Sequence, residues 1–281
     1  MYINRRQRKP EGKRRLWIVH IRLVNGRNRG FIMRDEEMVI EGRNVVIEAF
    51  RSGKTIDKLF VLDGCQDGPV YTILKEAKKT GCVINFVKKE RLDQLSETGR
   101  HQGVIAYLAA YGYSTVGQML ENANKRNEPP FLILLDNIED PHNLGSIIRT
   151  ANQAGAHGVI IPKRHASGLT AVVAKASAGA INYTPVAKVT NMVKTIEDLK
   201  KQGMWFVCGD MEGETMYGLD LTGSIGVVIG SEGNGVSRLV KEKCDFIASI
   251  PMFGNIGSLN ASVAMGILSY EIVRQRLMQK K

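Results

Sequence analysis

Three segments carry side chains that could act together on a small charged ligand. The first is Asp136-Asn137-Ile138-Glu139-Asp140-Pro141-His142-Asn143-Leu144-Gly145-Ser146-Ile147-Ile148-Arg149-Thr150-Ala151. The second is Ile229-Gly230-Ser231-Glu232-Gly233-Asn234-Gly235-Val236-Ser237. The third runs from Ile250-Pro251-Met252 through Gly257-Ser258-Leu259-Asn260 to Ala264. Each leaves an apolar stretch, crosses a loop broken by glycine or proline, and enters a stretch with helical spacing. Such loops expose backbone N–H and C=O groups, and a helix start adds donors that the helix itself does not use. The side chains on offer are the amides of Asn143 and Asn260, the guanidinium of Arg149, the carboxylate of Glu232 and the hydroxyl of Ser258. Amides position, a carboxylate can take a proton, and a guanidinium can hold an anion. Each has a plainer alternative. Asn143 and Ser258 could be N-caps, and Asn260 a polar first-turn residue. Arg149 falls off the apolar stripe and could be a surface cation. Glu232 could be a solvated carboxylate, or could favour the adjacent helix start. His142 and His101 read as structural. The joint pattern, three strand-end loops each with a polar residue beside glycine, is what points to chemistry.

The elements that must hold these loops are legible as alternation. Phe131 to Leu135 is a buried strand ending at Asp136. Leu144, Ile147, Ile148, Ala151 and Ala154 form the i, i+3, i+4, i+7 stripe of a helix closed by Gly155. Residues 158–162 read as a strand, 170–178 as a small-residue helix, 183–189 as extended, 191–202 as a helix and 205–208 as a strand. Strand 225–229, helix 236–243, strand 246–250 and a long helix from Leu259 to about Gln279 follow. Continuous apolar strands alternating with helices predict a parallel sheet covered on both faces. Open parallel sheets bind ligands at the carboxyl ends of their strands, where all three loops lie. A dinucleotide site is excluded, since no G-x-G-x-x-G joins a strand to a helix, and no Walker lysine follows a glycine loop.

Upstream, residues 38–112 read as a small α/β unit. Its strands are predicted at 58–62, 83–87 and 103–108, and its helices at 44–50, 71–80 (closed by Gly81) and 91–96. Residues 113–130 are polar, end at Pro129-Pro130 and read as a linker enclosing a short helix at 116–122. The second domain is then 131–281.

The 281 residues carry a formal net charge of +11, but unevenly. Residues 1–32 hold ten basic side chains and one acid, leaving the rest of the chain only +2. Residues 1–37 therefore read as a basic, disordered leader, either a passive extension or a phosphate tether. The four cysteines show no metal-ligand spacing and read as reduced thiols. No apolar run approaches a membrane span, and no signal-peptide core follows the basic start, so the expectation is a cytoplasmic protein without a membrane partner or metal.

Read together and in this order, the three segments resemble the signature motifs of the SpoU/TrmH (SPOUT) family of RNA 2′-O-ribose methyltransferases. Gly42-Arg43-Asn44 and His101-Gln102-Gly103-Val104 add to a likeness that covers about residues 40–278. Within the family, the chain is most similar to the RlmB-type subgroup, which methylates a guanosine 2′-OH in large-subunit rRNA. The resemblance implies an N-terminal α/β substrate-binding domain, and a C-terminal parallel-sheet domain with a trefoil knot that topology alone would not suggest. It implies S-adenosyl-L-methionine as cofactor, a homodimer packed through the catalytic domains, and RNA as partner, either naked or within a ribosomal precursor particle. It implies a cofactor site at Cys208, Gly209, Ile229, Gly230, Ile250, Met252, Ser258, Leu259 and Asn260, and an acceptor side at Asn143, Arg149, Glu232 and Asn260. The family also suggests a base-like role at Arg149. A guanidinium keeps its proton, so it suits a clamp on phosphate or developing alkoxide, and Glu232 has the chemistry of a base. Two alternatives stay open, a tRNA ribose methyltransferase and a non-catalytic RNA-binding or assembly protein on the same fold.

Overall fold

The computed structural model describes residues 32–33, 38–65 and 67–279, arranged around two sheets. The first sheet uses β1 (Ile32–Met33), β2 (Met38–Glu41), β3 (Ile56–Leu62), β4 (Val83–Val87) and β5 (Val104–Leu108), with α1 (Arg43–Arg51), α2 (Gly68–Thr80) and α3 (Lys89–Leu95) between them. Its strand order is β1-β2-β5-β3-β4. Within the stretch expected as a leader, Ile32 and Met33 pair antiparallel with Val39 and Met38. The remainder of that stretch, 1–31 and 34–37, lies outside the described residues.

Local chemistry fixes these elements. Asp67 caps α2 by accepting from the Val70 N–H, Pro69 opens the first turn, and Gly81 closes the helix in a left-handed conformation. One sheet face buries Ile40, Leu59, Val61, Val104 and Ala106 together with Val46 of α1 and Val70, Ile73 and Ala77 of α2. Among the described residues the other face receives only the short α3, through Leu92.

The second sheet has order β11-β9-β10-β6-β7-β8, and its paired strands all run parallel. It comprises β6 (Phe131–Asp136), β7 (Gly158–Pro162), β8 (Val186–Val189), β9 (Trp205–Thr215), β10 (Ile225–Gly230) and β11 (Phe246–Ser249). Its helices are α4 (Val116–Lys125), α5 (Pro141–Gln153), α6 (Ala171–Ala176), α7 (Met192–Lys200), α8 (Arg238–Lys241) and α9 (Ala261–Gln279). All six residues of β6 are buried. Phe131, Ile133 and Leu135 face α5 and α9, whereas Leu132 and Leu134 face the side of α4 and α7. This period-two division between two covered faces is why a strand can be apolar throughout. Each such side chain contributes about 1.5–3 kcal/mol by leaving water.

Residues 113–130 do not simply span the two sheets. Met119 and Ala123 of α4 are buried in the second core, and Met119 fills the space a side chain at Gly158 would need. Strand β9 continues to Thr215, past the Cys208 at which a short strand was expected, and α8 is confined to 238–241. Between Ile247 and Ala248 the register of β11 on β9 jumps from Cys208 to Glu214. Residues 209–213 therefore bow out of the sheet, with Gly213 against the Ile247 carbonyl where a Cβ would lie 2.3 Å from its oxygen. No helix among the described residues is long and apolar enough to cross a membrane.

Candidate active site

At the end of β6, Asp136 accepts a hydrogen bond from the Ser237 N–H at 2.7 Å, tying the first motif loop to the second. Asp140, not Asn143, caps α5. Its carboxylate accepts from the N–H groups of His142 and Asn143, and Pro141 occupies the first helical position. Capping by Asp140 moves Asn143 to the third helical residue, where its side chain amide is spared for other partners. Asn137, just after the strand, adopts φ +60°, a left-handed turn that asparagine tolerates.

The second loop folds onto its own glycines. The Gly235 N–H donates to the Ser231 carbonyl at 2.8 Å. A Cβ on Gly230 would stand 2.0 Å from the Gly235 carbonyl, so only glycine permits this closure. The turn projects Glu232 outward.

In the third loop, Asn260 rather than Ser258 serves as the cap of α9. Its Oδ1 accepts from the N–H groups of Ser262 and Val263 at 3.0 and 3.3 Å and from the Ser262 hydroxyl at 2.6 Å. Its Nδ2 donates to Asn143 Oδ1 at 2.9 Å and to Glu232 Oε1. Glu232 Oε1 also accepts from Asn143 Nδ2 at 3.2 Å and from the Ala261 N–H at 3.4 Å. One residue from each motif thus meets at a single point. Glu232 Oε2 has no hydrogen-bond partner among the described residues, leaving an oriented carboxylate oxygen uncommitted. Arg149 lies exposed on α5, six residues beyond Asn143 and about 120° round the helix. It has no hydrogen bond or ion pair to this cluster or to any other described residue.

Glu232 stands between two clefts. One, of about 380 Å³, is within the size range of ligand pockets. Gly209, Ile229, Gly230, Ile250, Met252, Ser258 and Leu259 line it. Cys208 is fully buried behind it and does not reach the lining. Asn260 meets it only through its bonds to Glu232. The wall also includes residues the sequence did not single out, Asp210, Met211 and Glu212 of the bowed segment and Ala264 and Leu268 of α9. Asp210 follows directly on Cys208-Gly209, and a glycine at a strand end was the available signal for a chain about to leave the sheet. Burial raises the Asp210 carboxyl, but hydrogen bonds from Lys241 at 2.9 Å and the Glu212 N–H outweigh it and hold the group below the usual carboxylate range. The second cleft, of about 420 Å³, lies on the other side of Glu232 and is lined by Asn137, Glu139, Asp140, Asn143, His165 and Ser231 among others. His142 is exposed beside it. His101 is buried in the first sheet, where its Nδ1 accepts from the Gly103 N–H and its Nε2 meets Asp93 at 2.9 Å, a loop-closing role.

An apolar cleft with backbone groups at strand ends adjoins a polar cleft, with a carboxylate at the shared wall. Such a site can hold two reactants in line and accept a proton between them.

Residues 130–270 match the SpoU rRNA Methylase family, and residues 39–114 match the family described as RNA 2′-O ribose methyltransferase substrate binding. YacO of Bacillus subtilis (strain 168), named for the TrmH family of tRNA/rRNA methyltransferases, is 47% identical over 245 residues, spanning 87% of this chain and 98% of that one. A Staphylococcus saprophyticus relative named for the same family is 48% identical over 242 residues, 86% of this chain and 97% of its own. Among solved structures, the SpoU methyltransferase AviRb from Streptomyces viridochromogenes in complex with the cofactor AdoMet has a TM-score of 0.55 at 23% identity, covering 86% of this chain and 91% of that one. The AdoMet-bound rRNA methyltransferase from Sinorhizobium meliloti scores 0.52 at 24% identity, covering 85% and 87%. At these identities the structural likeness is one of fold.

Proposed function

The chain belongs to the SpoU/TrmH family of RNA methyltransferases, and from that premise we propose that it methylates a ribose 2′-oxygen, on a guanosine of large-subunit ribosomal RNA, with S-adenosylmethionine as donor. The observation that carries the reading is the junction at Glu232, where one residue from each motif loop meets on the wall between two clefts. The cofactor, when bound, supplies a methyl group already activated by a sulfonium. The 380 Å³ cleft fits it chemically. Its walls combine apolar Ile229, Leu259 and Leu268 with the strand-end backbone of Gly209 and Gly230.

In this reading Gly209, Ile229, Gly230, Ile250, Met252, Ser258 and Leu259 hold the cofactor, and Cys208 supports the strand end from behind. Asn143 and Asn260 orient Glu232 through Oε1, and the free Oε2 takes the proton of the attacking hydroxyl. Arg149, with no partner among the described residues, clamps an RNA phosphate or the developing alkoxide. The return of the chain from β11 at the sheet edge across to Asn143 and Glu232 at the ends of β6 and β10 is where we place the crossing of the trefoil knot. The reading also includes a homodimer. Val263, Tyr270 and Leu277 are each about half exposed along one side of α9 at seven-residue spacing, and Phe253 and Ile256 stand almost fully exposed in the preceding loop. An apolar stripe of this kind suits a second copy of the chain.

Labelled-methyl transfer to unmodified large-subunit rRNA and to tRNA in parallel tests the substrate. Label in rRNA supports the proposal. Label confined to tRNA transfers the function to tRNA, and no label with no cofactor binding supports a non-catalytic RNA-binding protein instead.

A further inference from the structure

The half of the first sheet that α3 leaves uncovered faces the second domain. Lys58 pairs with Val83 and Phe60 with Asn85 across β3 and β4, and alternation puts all of them on this face. They form one wall of a cleft of about 650 Å³. The opposite wall is the segment after β7, Lys163 to Gly168, with the start of α6. Lys58, Lys163 and Arg164 have no ion-pair partner among the described residues. The carboxylate on this lining is Glu139, 3.4 Å from His165 Nδ1. Glu139 and His165 also line the acceptor-side cleft beside Glu232. The two clefts therefore adjoin along Glu139 and His165, and together they form a trough running from the Glu232 junction out to Phe60.

The gap between the sheets is fixed by a buried connection. Asp57 is the extra residue of a bulge where β3 pairs with β5, between Ile56 opposite Leu108 and Lys58 opposite Tyr107. A bulge re-aims a side chain, and here it turns Asp57 into the junction. Its carboxylate meets Lys188 of β8 at 2.8 Å and accepts from the Tyr113 hydroxyl at 3.0 Å, while the Leu169 N–H donates to that same hydroxyl oxygen. Lys188 lies 4.5 Å from the centre of the Tyr113 ring. A Cβ on Gly168 would stand 1.9 Å from Asp57 Oδ2, so the two domains approach as closely as glycine allows. The trough is a built feature of the fold.

We propose that this trough binds the nucleotide next to the methylated one, in a single-stranded stretch of the RNA substrate. Lys58, Lys163 and Arg164 hold its phosphates, and Phe60 and Asn85 meet its unstacked base. Aromatic rings and amides in a basic groove are how proteins take splayed-out RNA bases, and an unneutralised cation is what a phosphate requires. The proposal rests on the functional reading above and specifies its substrate as RNA unpaired on at least one side of the target ribose.

The test uses the full chain loaded with S-adenosylhomocysteine and an unmodified large-subunit rRNA transcript, with binding measured over a range of salt. Three variants are compared, Lys58→Gln/Lys163→Gln/Arg164→Gln, the single Phe60→Leu, and a control, Lys125→Gln/Lys194→Gln/Lys201→Gln, which removes three exposed cations outside the trough. Each single-strand phosphate contact contributes about 0.7 to the slope of log affinity against log salt. The trough triple removes the cations on the two phosphates flanking that nucleotide, so it should lower the slope by about 1.4 and weaken binding by about 10- to 100-fold, with cofactor affinity and melting temperature unchanged. The control should lower the slope by less than half as much. Phe60→Leu should raise the Kd for RNA without changing the slope. Equal slopes for the trough triple and wild type, or for the trough triple and the control, overturn the proposal. Methyl transfer by wild type is measured alongside. Wild type that binds the transcript but transfers no methyl overturns the functional reading, while the slopes still decide the trough.

Discussion

Asn260 does two separable things, and two substitutions divide them. Its Oδ1 caps α9, and its Nδ2 joins Asn143 to Glu232. Asn260→Ala removes both. The cap accounts for about 1 kcal/mol and the exposed side-chain bonds for about 0.5–1 kcal/mol in sum. A loss of about 2 kcal/mol in a chain of this size lowers Tm by roughly 4–8 °C. Asn260→Asp keeps the cap, because aspartate caps as well as asparagine does. It replaces the donor by a second carboxylate against Glu232. Two like charges about 4 Å apart repel by ~1 kcal/mol in water and ~4 kcal/mol at an effective dielectric near 20, and exposure puts this pair toward the lower figure. Asn260→Asp should therefore melt within a few degrees of wild type, yet lose methyl transfer as severely as Asn260→Ala, by about 10²–10³-fold, since both undo the orientation of Glu232. The assay is thermal melting beside methyl transfer to an rRNA transcript at pH 7. Wild-type transfer by Asn260→Asp refutes the reasoning, and so does transfer that tracks Tm across the two variants, for then Asn260 is only a cap.

Gly230→Ala puts a Cβ 2.0 Å from the Gly235 carbonyl, where ordinary contact begins at 3.4 Å, so the second loop must shift by more than 1 Å. Affinity for S-adenosylmethionine by calorimetry should fall at least about 10-fold, and unchanged affinity would mean the loop does not shape the cofactor cleft. His157 links the two ends of the chain's entry into β6, its Nδ1 accepting from the Phe131 N–H and its Nε2 meeting Glu128. Burial pushes its pKa below the ordinary value and the Glu128 hydrogen bond only partly opposes this. The unfolded chain takes up this proton near pH 6.5 and the folded chain only at lower pH, so the stability is complete above about 6.5 and is lost as pH falls toward the folded value. Urea midpoints at pH 7.5 and 5.5 should show a smaller acid loss in His157→Leu than in wild type. Equal losses would show that His157 does not set the acid response.

The second sheet was legible in the sequence because its strands are continuous apolar runs and its helices carry clean stripes, as β6 and α5 do. The three motif loops were legible because glycine and proline punctuate them. The plainer alternative for Asn143, a cap, placed the helix start three residues too late, since Asp140 is the cap. Asp140-Pro141 is itself a start signal, since proline favours the first helical position. The excursion of β9 was hidden because residues 209–213 look like the turn after a short strand, and only pairing with β11 draws them back into register. The Asp57 bulge was not legible at all. Its partner Lys188 is 131 residues away, and one extra residue in a strand leaves no local trace. The interdomain trough follows from that bulge, which is why two nearly neutral domains gave no sequence sign of a basic channel.

The central claim is that the acceptor atom is a ribose 2′-oxygen, and the most direct test is to find the methyl group. Unmodified large-subunit rRNA would be treated with the protein and S-adenosylmethionine, digested to nucleosides and resolved by mass spectrometry that separates ribose from base methylation. The account predicts one 2′-O-methylated nucleoside, a guanosine, formed by wild type and lost in Glu232→Gln. A methyl group on a base, or undiminished ribose methylation by Glu232→Gln, would contradict it.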